Sequence, residues 1–149
     1  NTLEKETPPV RFDVLIIGGG AAGMMAATAA AEAGKRVLIL EKNSSLGKKL
    51  NISGGGRCNI TNAEFDSRTL LQHYGKAANF LHSPFARFGV KETFAFFENR
   101  GLPLKVEARN RAFPVSENAN DVTAVFTKAL SKVTKLGLTM ASISGTETK

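Results

Sequence analysis

Val14 to Glu41 reads VLIIGGGAAGMMAATAAAEAGKRVLILE, and this stretch decides the fold. It opens on an apolar run, Val14-Leu15-Ile16-Ile17, short and β-branched enough to predict a strand buried on both faces. Gly18, Gly20 and Gly23 follow in the spacing G-x-G-x-x-G. The Ala-rich segment Ala21 to Ala33 predicts a helix, and Gly34 stands where a left-handed C-terminal cap belongs. A second apolar run, Val37 to Leu40, ends on Glu41, 23 residues past Gly18. Strand, glycine turn, helix, strand and terminal acid make a βαβ unit over residues 12–41, of the kind that binds a dinucleotide.

Each part has a physical task. Gly18 lets the chain turn sharply off the strand, and Gly20, lacking a Cβ, lets backbone approach a pyrophosphate. Gly23 lets the helix pack closely on the strands. Amides at the helix N-terminus point toward the phosphates, and the helix dipole favours their charge. Glu41 can accept hydrogen bonds from the adenosine ribose. Its carboxylate would repel a ribose 2′-phosphate, which disfavours NADP here and leaves NAD and FAD, both with a free diol.

The 149 residues suffice for one domain with its own core, and 42% apolar with 22% charged residues is ordinary for a globular chain. Twenty Lys and Arg against 13 Asp and Glu give a net charge of +7. These cations are scattered, so a solvated surface plus a phosphate site accounts for them, and no nucleic-acid partner is expected. The single cysteine, Cys58, excludes an internal disulfide, and with only His73 and His82 no metal centre is expected. No apolar run reaches about 18 residues, so no membrane span is expected. The segment Asn1 to Arg11, polar with Pro8-Pro9, is no signal peptide, and a reducing cytoplasm is the expected compartment.

Along the chain, residues 1–10 read as a disordered leader and 42–62 as a glycine- and lysine-rich loop too long for a mere connector. Residues 63–101 read as a helical segment. Asp66 or Ser67 caps a short helix through Leu70 and Leu71 ending near Gly75, and Lys76 to His82 continues helically. Ser83-Pro84 reads as an N-cap with proline at N1, opening a turn through Phe85 and Phe88. Val90 to Arg100 is an amphipathic helix on Val90, Phe94 and Phe97, stopped by Gly101. Leu102–Val106 and Arg111–Val115 predict a hairpin over 102–115 around Arg109-Asn110. A helix and a strand are expected over 119–143. Asn120 caps the helix, with Val122, Val125, Phe126, Ala129, Leu130 and Val133 on one face and Gly137 beyond its end; the strand is Leu138 to Ile143. Residues 144–149 are a polar tail. The ten phenylalanines invite a flavin-cradle reading, but Phe94 and Phe97 lie one helical turn apart, as core residues do.

The segment Lys42 to Asn62 reads KNSSLGKKLNISGGGRCNITN. Ser53-Gly54-Gly55-Gly56 exposes consecutive amides to a flat or anionic ligand, and Arg57 adds a cation beside them. GGGAAG, then LEKN, then GKKL-ISGGGRCN-TN, with Phe113-Pro114 inside ARNRAFPVSENANDV, resembles the BaiN-like family of FAD-dependent flavoproteins, whose dinucleotide fold is similar to that of the glutathione-reductase group. The resemblance runs from about Phe12 to about Leu138, and Asn51 departs from the apolar residue usual at its position.

This resemblance implies an α/β, Rossmann-like βαβ FAD/NAD(P)-binding domain, incomplete here, with a helical segment and a short hairpin after the first βαβ unit. It implies that Gly18, Gly19, Gly20, Ala21, Ala22 and Gly23 lie against the FAD pyrophosphate, with Glu41 on the adenosine ribose and Lys42 beside it. Lys49 and the loop Ser53, Gly54, Gly55, Gly56, Arg57, Cys58 and Asn59 would approach the pyrophosphate, ribityl or isoalloxazine end. Family members are more than twice as long and carry a second flavin motif. The remainder of the FAD fold is therefore expected to be missing from this chain, which alone would bind FAD weakly. The implied activity is an oxidoreductase with a small-molecule substrate and NAD(P)H as donor. Because the flavin carries the redox chemistry, no catalytic side chain is implied. Cys58 has no second cysteine to pair with and reads as structural or flavin-proximal, whereas Arg57 would stabilise reduced, anionic flavin. From the residues themselves, an NAD-binding dehydrogenase domain without flavin and a non-catalytic nucleotide-binding module remain open.

Overall fold

The computed structural model describes residues 11–131. The expected leader over 1–10, the strand Leu138 to Ile143, the tail, and Val133 with Gly137 at the last helix's end lie outside the described residues. The chain divides into two compact units, with one boundary between Leu46 and Gly47, inside the expected loop, and the other between Lys128 and Ala129, which assigns Ala129 onward to the first unit.

The first unit holds strand β1 (Val14–Ile17), helix α1 (Ala21–Glu32) and strand β2 (Val37–Leu40). β1 and β2 pair in parallel, with Val14 opposite Val37 and Ile17 opposite Leu40. A parallel pair needs a crossover, and α1 is that crossover. It buries Met24, Ala27 and Thr28; the Thr28 hydroxyl donates to Met24 O at 2.8 Å, so the one buried polar side chain of the helix is satisfied. Gly34 ends α1 with φ +74. Its amide donates to Ala31 O at 2.9 Å while Lys35 N donates to Ala30 O at 3.0 Å, the paired bonds of a Schellman cap.

One expectation for this unit is corrected. β1 is covered on one face only: Leu15 is 57% exposed and Ile17 79%. With two strands and one helix among the described residues, alternate side chains of β1 have no layer above them.

The second unit runs Gly47–Lys128. Where a loop is expected, helix α2 (Lys48–Ile52) forms, entered from Gly47 at φ +70 and followed by a 3-10 turn, Ser53–Gly56. Next come strand β3 (Thr61–Asn62), helix α3 (Ser67–Gln72), a 3-10 turn at Gly75–Ala77, and helices α4 (Ala78–Arg87) and α5 (Val90–Glu98). Asp66 caps α3 as expected, accepting from Thr69 N at 2.7 Å. Glu92 of α5 reaches back to the Gly89 amide at 2.9 Å, and Gly101 at φ +83 ends the helix.

Ser83-Pro84 does not open a turn: both residues lie inside α4. Pro84 removes one interior hydrogen bond, the one its N–H would have given to Phe80 O. In a short helix with no buried residue, water can satisfy that carbonyl, so the helix continues to Arg87.

Strands β4 (Leu104–Glu107) and β5 (Arg111–Pro114) form the expected antiparallel hairpin, with Arg109 and Asn110 both left-handed in its turn. β3 adds to the outer side of β5, giving the order β3-β5-β4. Helix α6 (Ala119–Ser131) follows, and here too the expected cap moves. Asn118, not Asn120, precedes the helix, and its side-chain oxygen accepts from Asn120 N at 3.0 Å. The core of this unit gathers Phe96 and Phe97 of α5 and Phe126 of α6, with ring centroids 5.0 to 5.7 Å apart. Phe113 and Val122 are also fully buried. Four of the ten phenylalanines, Phe96, Phe97, Phe113 and Phe126, are thus core residues, whereas Phe94 is only half-buried and packs against Phe65 with the two rings tilted.

Candidate functional site

In the first unit the four glycines of the turn have four different reasons. Gly18 sits at φ +98, a backbone region that L-residues rarely adopt. A Cβ on Gly19 would stand 2.2 Å from Leu46 Cδ2 and 3.2 Å from Glu41 Oε2. A Cβ on Gly23 would stand 1.9 Å from the carbonyl oxygen of Gly18. Gly20 differs: its backbone is extended (φ −77, ψ −173), and a Cβ there would meet no atom within 4 Å. Neither backbone strain nor packing requires glycine at position 20.

Gly20 is the residue before α1, and no side chain caps this end. The first helical bond runs from Met24 N to Gly20 O at 2.9 Å, so the amides of Ala21, Ala22 and Gly23 have no acceptor within the helix. No acidic residue lies in the first turn. The end of α1 is therefore a cluster of open donors on the positive end of a helix dipole, beside space that a side chain at position 20 would fill. A phosphate-bearing dinucleotide such as FAD fits these residues.

Glu41, just past β2, is held beside the turn. Its Oε2 accepts from Gly19 N at 2.6 Å, and its Oε1 accepts from Asn43 N at 2.8 Å and Asn43 Nδ2 at 2.6 Å. The Asn43 amide, then that of Gly19, holds the Glu41 carboxyl below its ordinary range, so it is an anion near neutrality. Lys42 is exposed beside it. Asn43 and Leu46 shape this site and escape the sequence reading; an Asn two residues after an acid, with backbone and side-chain amides both able to donate back to the carboxylate, is the local signal for the first.

The second unit holds Lys49, exposed on α2, and the loop Ser53 to Asn59. Gly54, Gly55 and Gly56 are all left-handed, at φ +57, +69 and +83. Cys58 N donates to Ser53 O at 3.0 Å, closing the loop on itself. The guanidinium of Arg57 contacts Glu107 Oε1 at 3.0 Å and lies 3.8 Å from Glu117 and 4.1 Å from the Phe113 ring centroid. Lys105 joins the same group by pairing with Glu117. Arg57 therefore ties the glycine loop to the hairpin. Cys58 is 3% exposed, and burial raises its thiol above the ordinary range, which makes it a packing residue rather than a reactive thiolate. Turned so that its amide nitrogen faces Ala112 O and Thr61 O, Asn59 would donate to both at 3.2 Å.

A glycine turn of this geometry, with its acid, on a parallel βαβ unit is the signature of a Rossmann-type domain, and residues 12–148 match the family described as HI0933-like protein Rossmann domain. The chain belongs to this family. The likeness read from GGGAAG, LEKN and ISGGGRCN is borne out by that match and by a relative within it. Over 92 residues the chain is 36% identical to the 3-dehydro-bile acid delta(4,6)-reductase of Clostridium scindens, covering 62% of this chain and 22% of the relative. It is 44% identical over 78 residues to the ribosomal RNA dihydrouridine synthase of Escherichia coli, 52% of this chain and 19% of the relative. The Haemophilus influenzae protein of the same description is 27% identical over 88 residues, 59% of this chain and 21% of the relative. The chain thus spans about a fifth of the length of these relatives. Among the described residues no helix is long and apolar enough to cross a membrane.

Proposed function

We propose that this chain is the dinucleotide-binding portion of an FAD-dependent oxidoreductase that reduces a carbon–carbon double bond in a small-molecule substrate, with NAD(P)H as electron donor. The observation that carries the reading is Gly20, which no contact or strain inside the protein explains and which a closely approaching pyrophosphate does. Gly18 to Gly23 would take the pyrophosphate and Glu41 the ribose. In the second unit, Lys49 and Ser53 to Asn59 are further candidate cofactor-binding residues. Bound flavin would supply hydride transfer, and the side chains named here would bind and orient it. The relatives' names support the reaction class. A delta(4,6)-reductase and a dihydrouridine synthase both describe two hydrogens added across a carbon–carbon double bond.

The test is FAD titration of the desalted chain, followed by flavin fluorescence, for the wild type and Gly20→Ala. Saturable quenching that Gly20→Ala abolishes, with unchanged circular dichroism and thermal midpoint, supports the reading. Equal binding by the variant would remove its main support. Retention of NAD in place of FAD would favour a plain NAD domain.

A second reading, an RNA substrate, is favoured by the 44% identity to the Escherichia coli ribosomal RNA dihydrouridine synthase. RNA retention that falls steeply with salt would support it over a small-molecule substrate.

A further inference from the structure

We propose that Asn43 is a positioning residue that holds Glu41 in the one rotamer able to meet an adenosine ribose, and so sets the preference for a free 2′-hydroxyl. The inference rests on the reading of the glycine turn as a dinucleotide site. It goes beyond that reading in assigning the ribose preference to a residue that never touches the ligand.

A carboxylate offers about four acceptor positions. On Glu41 both positions of Oε1 are occupied by Asn43, through its backbone amide at 2.8 Å and its side-chain amide at 2.6 Å. One position of Oε2 is occupied by Gly19 N at 2.6 Å. Donors on both oxygens fix the plane of the group as well as its place, and Oε2 keeps a position for an incoming hydroxyl. An unanchored Glu at the end of a strand would sample several rotamers and lose that freedom on binding; here the ordering is done before the ligand arrives. Asn43 also contributes donors without positive charge. The carboxylate stays anionic and uncompensated by that contact, so it continues to repel a 2′-phosphate. A Lys or Arg in the same place would fix the rotamer but weaken this discrimination.

The test is calorimetric titration of the full chain with ADP, 2′-deoxy-ADP and adenosine 2′,5′-bisphosphate. Wild type is expected to bind ADP about tenfold tighter than 2′-deoxy-ADP, the size of one hydrogen bond to a charged group. In Asn43→Ala that ratio falls to about threefold or less while affinity for 2′-deoxy-ADP holds within about twofold, and rejection of the bisphosphate weakens. Asn43→Asp, which keeps the shape and replaces the donor with an acceptor, loses the ratio as well. An unchanged ratio in both variants overturns the proposal. So does an equal loss for ADP and 2′-deoxy-ADP, which marks a merely structural residue. Wild type that binds ADP and 2′-deoxy-ADP equally also overturns it, with the dinucleotide site left standing. Wild type that binds neither refutes the dinucleotide reading itself, and the proposal falls with it.

Discussion

The guanidinium of Arg57 lies over the ring of Phe113, 4.1 Å from its centroid, with Nη1 on Glu107. These residues come from the glycine loop and the two strands of the hairpin, so one planar cation joins the loop to both strands of a hairpin about 50 residues further along the chain. Arg57→Ala would leave the half-buried Glu107 with Lys105 at 3.4 Å and a distant Arg111, and would bare the face of Phe113. The expected loss is about 1–3 kcal/mol in denaturant unfolding, with an unchanged slope. Arg57→Lys should recover less than half, because an ammonium neither stacks nor forks. A Lys variant as stable as wild type would take the planar contact out of the account.

Gly23 is a packing glycine and Gly20 is not, and the two should separate in experiment. A methyl at position 23 would collide with backbone, the carbonyl of Gly18, which cannot swing away as a side chain can. Gly23→Ala is expected to push α1 off β1 and lower stability by about 2 kcal/mol or more, read as a drop in thermal midpoint. Gly20→Ala should match wild type in that melt. Equal midpoints for all three proteins would mean that α1 does not sit as closely on β1 as described.

Asp13 and Arg36 couple the start of β1 to the turn before β2. Arg36 donates from its backbone amide at 2.8 Å and from its guanidinium at 3.1 Å. Chiefly through the Arg36 side chain, the Asp13 carboxyl falls from an ordinary 3.8 to about 2. Its folded value lies below its unfolded one, so its contribution is complete above about pH 4 and is lost as pH falls through about 2. Both side chains are exposed, so the effect is small and weakened by salt. Asp13→Asn should therefore be slightly less stable than wild type at pH 7, and the two should converge near pH 2. A gap that stays constant over that range would assign the loss to something other than the charge.

How much of this was legible in the sequence depends on how local the cause is. β1, α1 and β2 could be read because their signals lie within a few residues: a β-branched run, glycine spacing and a left-handed Gly34. Gly101 and the Arg109-Asn110 turn were legible for the same reason. Ser83-Pro84 misled because the pair is as good an N-cap signal as any, and only the solvent-exposed course of α4, which has no fully buried residue, lets a helix run through it. Asn118 and Asn120 carry the same capping chemistry, and the choice between them is set by where α6 begins. β3 is two residues long and has no periodicity to read. The Arg57–Glu107 pair spans 50 residues and leaves no trace in either neighbourhood. Asn51 replaces an expected apolar residue, and its side-chain oxygen accepts from the Thr123 hydroxyl of α6, a polar tie that only the folded chain shows.

Cys58 decides whether the glycine loop carries a thiol chemistry of its own. The residue is buried and left-handed at φ +61, and desolvation raises its thiol while the Ser53 hydroxyl opposes the shift only in part. A nucleophilic cysteine needs a thiolate and access, and this one has neither. The folded chain should react slowly with a disulfide reagent such as dithiobis-nitrobenzoate at pH 8, and rapidly and stoichiometrically once denatured. Cys58→Ser should then lower stability by about 1 kcal/mol, because a hydroxyl replaces an apolar thiol in the same packed space. Fast labelling of the folded chain would show that the loop opens to solvent, and would return Cys58 to consideration as a redox group beside the flavin.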